Sequence, residues 1–263
     1  MVRPSSSDAW PMARSPWQDR IFTPLQSVVT AFLFAEVAVV LGVALWPAVA
    51  LWSWAGGVLP ASGALRFLGL GVALGAAYIV FGLALVVVLP VARWLTLSVG
   101  TPVGRFRYLS LATWRWASFN ALTLILRFSF VNWIRLTPVL PLYHRLMGAR
   151  IGRRVHINTA VVADQNLLQI GDDTVIGGDV TLVCHSAEGG QLVTAPVRIG
   201  CRVTVGLMAV ILPGCTIGDG AVIAAGAVLS KGTQVGPGEI WAGVPARRVG
   251  QHRARQATEG ERT

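Results

Sequence analysis

Apolar positions fall into two regimes along this chain. From Ile21 to Ala64 the sequence carries a single charged residue, Glu36, and from Phe67 to Ala92 it carries none. The core of the first run, Val28 to Trp54, is long enough as a helix to cross about 30 Å of hydrocarbon. The second run ends near Pro90. Arg3, Arg14 and Arg20 precede the first run, Arg93, Arg105 and Arg107 follow the second, and the connection around Gly56–Gly63 has no lysine or arginine. The positive-inside rule therefore places both ends in the cytoplasm and a short hairpin outside. A cleaved signal peptide does not fit, because the first run is too long and lacks a cleavage site. Glu36 is an ionisable group inside an expected span; its position near the cytoplasmic end favours a structural role.

Between 105 and 150 the pattern changes. Phe106, Tyr108, Trp114, Trp116, Phe119, Phe128, Phe130 and Trp133 interleave with Arg107, Arg115, Arg127 and Arg135. The longest uncharged piece, Ala117–Leu126, is too short to span. Amphipathic helices in the headgroup layer are expected, with aromatics buried and arginines toward lipid phosphate.

From Ile151 the period becomes six. Hexads begin at Ile199, Val205, Ile211, Ile217, Ile223 and Leu229 without a slip, preceded by starts at Ile151, Ile157, Ile170, Ile176 and Leu182 and followed by Val235 and Trp241. Such a repeat fits a triangular coil, with one inward aliphatic side chain per face, a small residue near each corner and stacked backbone hydrogen bonds. Two places break the count. A bulge is expected around Asp164–Asn166, and a loop of residues 188–198 must leave a corner. Function is most expected where a strict coil is interrupted.

Composition agrees with a membrane chain: 54% of residues are hydrophobic and 13% charged, with a formal charge of +10. Lys231 is the only lysine. The arginines lie beside tryptophans and apolar runs, which points to a membrane surface and not to nucleic acid. Cys184, Cys201 and Cys215 have neither disulfide-framework nor metal-ligand spacing and read as reduced thiols.

The segments PG-x-x-IG, AAGAVLSK and AGVPAR within Val205–Arg247 resemble the hexapeptide-repeat acyltransferase family over about 151–249. The layout of spans, an Arg/Trp-rich segment and LMGARIG leading into the coil is also similar to the membrane region of polylysine-synthetase-like peptide synthetases. The first resemblance implies a left-handed parallel β-helix, all-β, preceded by an α-helical membrane domain. It implies a homotrimer with sites between neighbouring coils and acetyl-CoA, or another acyl-CoA, as co-substrate. His185, just before the expected loop, matches the family's base, and Glu188 is a candidate to orient it. Leu207, Ala225 and Ser230 match positions along the pantetheine arm, and Lys231 and Arg247 match phosphate-contacting positions. Asp164 and Asn166 fill the place of an acceptor-binding segment. The histidines do not supply a zinc set, so no metal is expected. The expected organisation is a cytoplasmic segment (1–22), a membrane hairpin (23–104), interfacial helices (105–150), the β-helix (151–249) and a polar tail (250–263). The expected protein is a bacterial inner-membrane O-acetyltransferase facing the cytoplasm, acting on a sugar or lipid-linked glycan. The alternative is a non-catalytic trimeric scaffold of a polymer- or peptide-synthesis assembly.

Overall fold

A computed structural model describes residues 16–96, 100–108 and 110–251. Arg3, Arg14, His252 and nearly all of the expected tail lie outside those residues.

The two apolar runs form helices α1 (Pro16–Val58) and α2 (Ala64–Leu95), which pack antiparallel. Both are long and apolar enough to cross a bilayer. Their outer surfaces carry Phe34, Trp46, Phe67 and Leu68, each more than two-thirds exposed. A contiguous apolar band of that size on a protein surface marks a face that meets something other than water. Glu36 is buried in this hairpin and accepts a hydrogen bond from Ser118 Oγ at 2.5 Å. A buried carboxyl in an apolar helix needs such a partner. At the tip, Arg66 folds back to donate to the Pro60 carbonyl at 2.8 Å.

The segment after the hairpin starts with strand β1 (Gly104–Arg107) and continues as helices α3 (Leu111–Ser129), α4 (Val131–Ile134) and α5 (Val139–Leu146). Ser110 caps α3 by accepting from the Thr113 amide. This helix is not an isolated surface element. Phe119, Leu122 and Leu126 are fully buried, and the helix packs on both α1 and α2. It also meets the coil, through Trp116 and Asn120. The exposed aromatics expected of a headgroup-facing surface are confined to residues such as Phe128 and Trp133.

The coil itself is a left-handed parallel β-helix. One face stacks Ile151, Ile170, Ile199, Ile217 and Val235; the second stacks Ile157, Ile176, Val205, Ile223 and Trp241. The third stacks Val162, Leu182, Ile211 and Leu229. Glycine at the turns is demanded by this stacking: a Cβ on Gly206 would lie 2.5 Å from the Ala225 backbone nitrogen. The hydrophobic core runs unbroken from Val40 in α1, through α3 and α5, into the coil. The helices thus close the N-terminal end of the coil. A hairpin of two strands, Glu239–Gly243 and Ala246–Gln251, closes the other.

Candidate active site

Both interruptions of the repeat fall at one corner of the triangle. Val162 and Leu182 occupy the same face in successive coils, so the bulge that follows the first lies directly beneath the loop that follows the second. The loop is a hairpin of β2 (His185–Glu188) and β3 (Gln191–Thr194), and β1 from the helical region adds an antiparallel third strand to it. Thr194, the residue paired with His185, accepts from the Gly104 amide at 3.0 Å and donates to the Pro102 carbonyl at 2.6 Å. The strand that pairs with the one carrying His185 is therefore held from both sides.

Asp164 stands at the bulge in the left-handed region, with φ of 56°, and its side chain is 0% exposed. Its Oδ2 lies 2.6 Å from His185 Nδ1 and accepts from the Cys184 amide at 3.3 Å. Its Oδ1 accepts from Trp116 Nε1 at 2.9 Å and from Asn120 Nδ2 at 3.3 Å. The Trp116 ring meets the imidazole edge-to-face, with centroids 4.9 Å apart. A carboxylate only accepts, so Nδ1 carries the hydrogen. Nε2 is left with its lone pair, on a side chain 27% exposed. Within the described residues no hydrogen bond engages that nitrogen. This is the geometry of an oriented general base.

Three expectations change here. Asp164 is wholly enclosed and its oxygens are occupied, so it faces the imidazole and not an acceptor. Asn166 is also engaged: its Nδ2 donates to the Thr101 carbonyl at 2.8 Å and its Oδ1 accepts from the Thr101 amide at 3.2 Å. Its amide pins the chain leaving α2 to the coil. Glu188 does not orient His185. The two stand three residues apart on one strand, an odd spacing that sends their side chains to opposite faces. Glu188 instead accepts from Ser186 Oγ at 2.7 Å and pairs with Lys231, with Arg105 at 3.8 Å. The Lys231 ammonium, then the Ser186 hydroxyl, hold its carboxyl below the usual range.

The positions matched to an acyl-CoA arm separate into two groups. Ser230 and Lys231 occupy the same corner as His185, because Val183 stacks on the strand end at Ile211 and Leu212 on that at Leu229. Leu207 and Ala225 stack on one another at the preceding corner, both exposed. Arg247 lies opposite Ala242 in the closing hairpin and donates to the Ala246 carbonyl at 2.9 Å. No described hydrogen bond or ion pair joins it to His185. Cys184 is buried, and burial pushes its thiol well above the ordinary range. Cys215 is buried too, and its thiol is raised for the same reason. Neither is an activated nucleophile.

Trp116 and Asn120 are the contributions that reading the sequence missed. They come from a helix more than forty residues upstream of Asp164. The only sequence signal was Asp164 itself, a carboxyl where the coil demands burial.

Residues 196–231 match the family model described as bacterial transferase hexapeptide, six repeats. Delta-poly-L-ornithine synthetase of Acinetobacter baumannii is 31% identical over 172 residues, which is 65% of this chain and 12% of that protein. Galactoside O-acetyltransferase of Escherichia coli is 37% identical over 105 residues, 37% of this chain and 51% of that protein. A hexapeptide-repeat acetyltransferase from Vibrio cholerae, solved with acetyl coenzyme A, is 28% identical with a TM-score of 0.38, covering 41% of this chain and 62% of that one. The chain spans less than two-thirds of the length of each of these relatives.

Proposed function

We propose that this chain is a membrane-anchored, acetyl-CoA-dependent O-acetyltransferase whose general base is His185. The observation that carries the reading is the His185–Asp164 pair at a corner where two departures from the repeat stack. A coil serving only as a scaffold has no need to bury a carboxylate there, since that costs several kcal/mol unless it is fully paired. The likeness of the coil to an O-acetyltransferase supports the reaction class.

In this mechanism Asp164 accepts from Nδ1–H and fixes the ring, and Nε2 takes the proton from the acceptor hydroxyl as that oxygen attacks the thioester carbonyl. The tetrahedral intermediate then expels the thiolate of coenzyme A, which is protonated as the acetyl ester is released. Lys231, at the same corner, would meet a phosphate of the donor, and Ser230 its pantetheine arm. Leu207, Ala225 and Arg247, at the other corner, would serve a donor lying against a neighbouring coil, as in a homotrimer. The two apolar helices anchor the coil at the inner face of a bacterial inner membrane, so the acceptor is a glycan or lipid-linked sugar presented there. The test is thiol release from acetyl-CoA by the detergent-solubilised full chain, with galactosides and membrane glycolipids as acceptors.

A second reading has its own support. The 172 residues matched to the ornithine polymer synthetase are too many to be accommodated by the coil alone. The helices and the coil together thus resemble part of a peptide-forming enzyme. In that case the unit is a trimeric scaffold, or the acceptor is an amine. Calorimetry separates the two: absence of acetyl-CoA binding at millimolar concentration favours the scaffold, and thiol release with an amine acceptor favours the amine.

A further inference from the structure

The proposed base is not assembled by the coil alone. Trp116 and Asn120 stand four residues apart on α3, so a single helix face delivers both of their N–H groups to Asp164 Oδ1. We propose that Trp116 and Asn120 are positioning residues for acetyl transfer, acting through Asp164 and tying the base to the helical domain. This rests on His185 being the base.

An enclosed carboxylate has lone pairs on both oxygens, and any left unmet carries a desolvation penalty. Donors from Trp116 and Asn120 satisfy Oδ1 and fix the carboxylate plane, which leaves Oδ2 for His185 and the Cys184 amide. They also spread the negative charge of Asp164 over donors on the side away from the imidazole. The Trp116 ring adds a second restraint, since its edge-to-face contact opposes rotation of the imidazole. No other charged group competes for the ring in the contacts described. Glu188, on the same strand, is engaged by Lys231 and Arg105, and the neighbouring Cys184 thiol is held neutral by burial.

What fixes α3 is the hairpin. Ser118, between Trp116 and Asn120 in sequence, is buried against α1 and donates to Glu36. Phe119 and Leu122 lock the helix into the core. A small displacement of a positioning shell is enough to cost a large factor in rate. The helical domain is therefore part of the active site as well as an anchor.

The test uses the full chain in detergent or nanodiscs, with Trp116→Phe and Asn120→Leu. The first keeps an aromatic ring but removes the N–H donor together with part of the indole's bulk. Three quantities are read: melting temperature, kcat and KM for acetyl-CoA, and the pH titration of the histidine rings by 15N NMR. Expected are a kcat lowered about tenfold in each variant, equivalent to one lost hydrogen bond, with KM for acetyl-CoA unchanged. The His185 titration and the acid limb of the kcat profile should move together to higher pH, because Asp164 with fewer donors holds the imidazolium more tightly. A purely structural role would lower the melting temperature and leave the titration in place, which overturns the proposal. Wild-type kcat and titration in both variants also overturn it. Should His185→Ala keep its activity, the base assignment fails, while the NMR titration still reports whether Trp116 and Asn120 act on the Asp164–His185 pair.

Discussion

His185 Nδ1 lies 2.6 Å from Asp164 Oδ2, although the two residues belong to different coils and are 21 positions apart. Three hexads make one coil, so a separation near eighteen brings residues to the same corner; the irregular coil adds two, since Val162 pairs with Leu182, and His185 stands one place further past its face than Asp164. Each departure from the repeat is needed for the contact. The bulge turns a carboxylate inward, and the hairpin starts at the histidine that receives it.

Replacing Asp164 separates orientation from fold. Asp164→Asn keeps the shape but offers an amide to Nδ1, which favours the wrong tautomer. We expect kcat to fall by roughly two to four orders of magnitude, by analogy with other oriented-histidine systems. Glu188→Gln should stay within a few-fold of wild type, because Glu188 faces Lys231 and not the imidazole. Steady-state thiol release on both variants checks the contrast.

Turn glycines of the coil should be intolerant where their counterparts in the hairpin are not. A Cβ on Gly206 meets backbone 2.5 Å away, whereas one on Gly71 meets nothing within 4 Å. Gly206→Ala is expected to destabilise by about 1–3 kcal/mol, and Gly71→Ala to be near neutral or better. Thermal melts of the two variants read this directly.

His144 predicts a pH dependence of stability. It is 3% exposed on α5, neither ring nitrogen has a hydrogen-bond partner among the described residues, and burial holds its pKa down to about 4. The unfolded chain binds the proton near pH 6.5, so stability is fully present above 6.5 and declines as pH falls toward 4. The loss is on the order of 3 kcal/mol across that window. His144→Leu should flatten the dependence in denaturant titrations between pH 4 and 6.5.

Membrane topology follows from the antiparallel hairpin. With α1 and α2 both spanning, the N-terminus and the coil lie on the same side. Reporter fusions at each end should give the same compartment, and a reporter inserted near Gly63 the opposite one.

The coil was legible because its inward aliphatics repeat at a fixed interval and nothing else folds that way. The two departures from the repeat were legible for the same reason. Their pairing was less so: Glu188 stands closest to His185 in sequence, yet strand alternation turns it away. Asp164 is the partner because of stacking, and only counting by coils reveals it. The helical region was read correctly as helix, but its buried face was not. Phe119 and Leu122 look like membrane-facing residues in a local window, and only the coil beneath and the hairpin above make them core. For Trp116 there was no local signal at all, since its indole N–H reports a contact made 48 residues away.

The most direct measurement is the turnover of acetyl-CoA by purified full-length protein, comparing wild type with His185→Ala at matched folded fraction. The account predicts acceptor-dependent thiol release in the wild type and a loss of about 10²–10⁴ in kcat for the variant. Undiminished turnover by His185→Ala would contradict it.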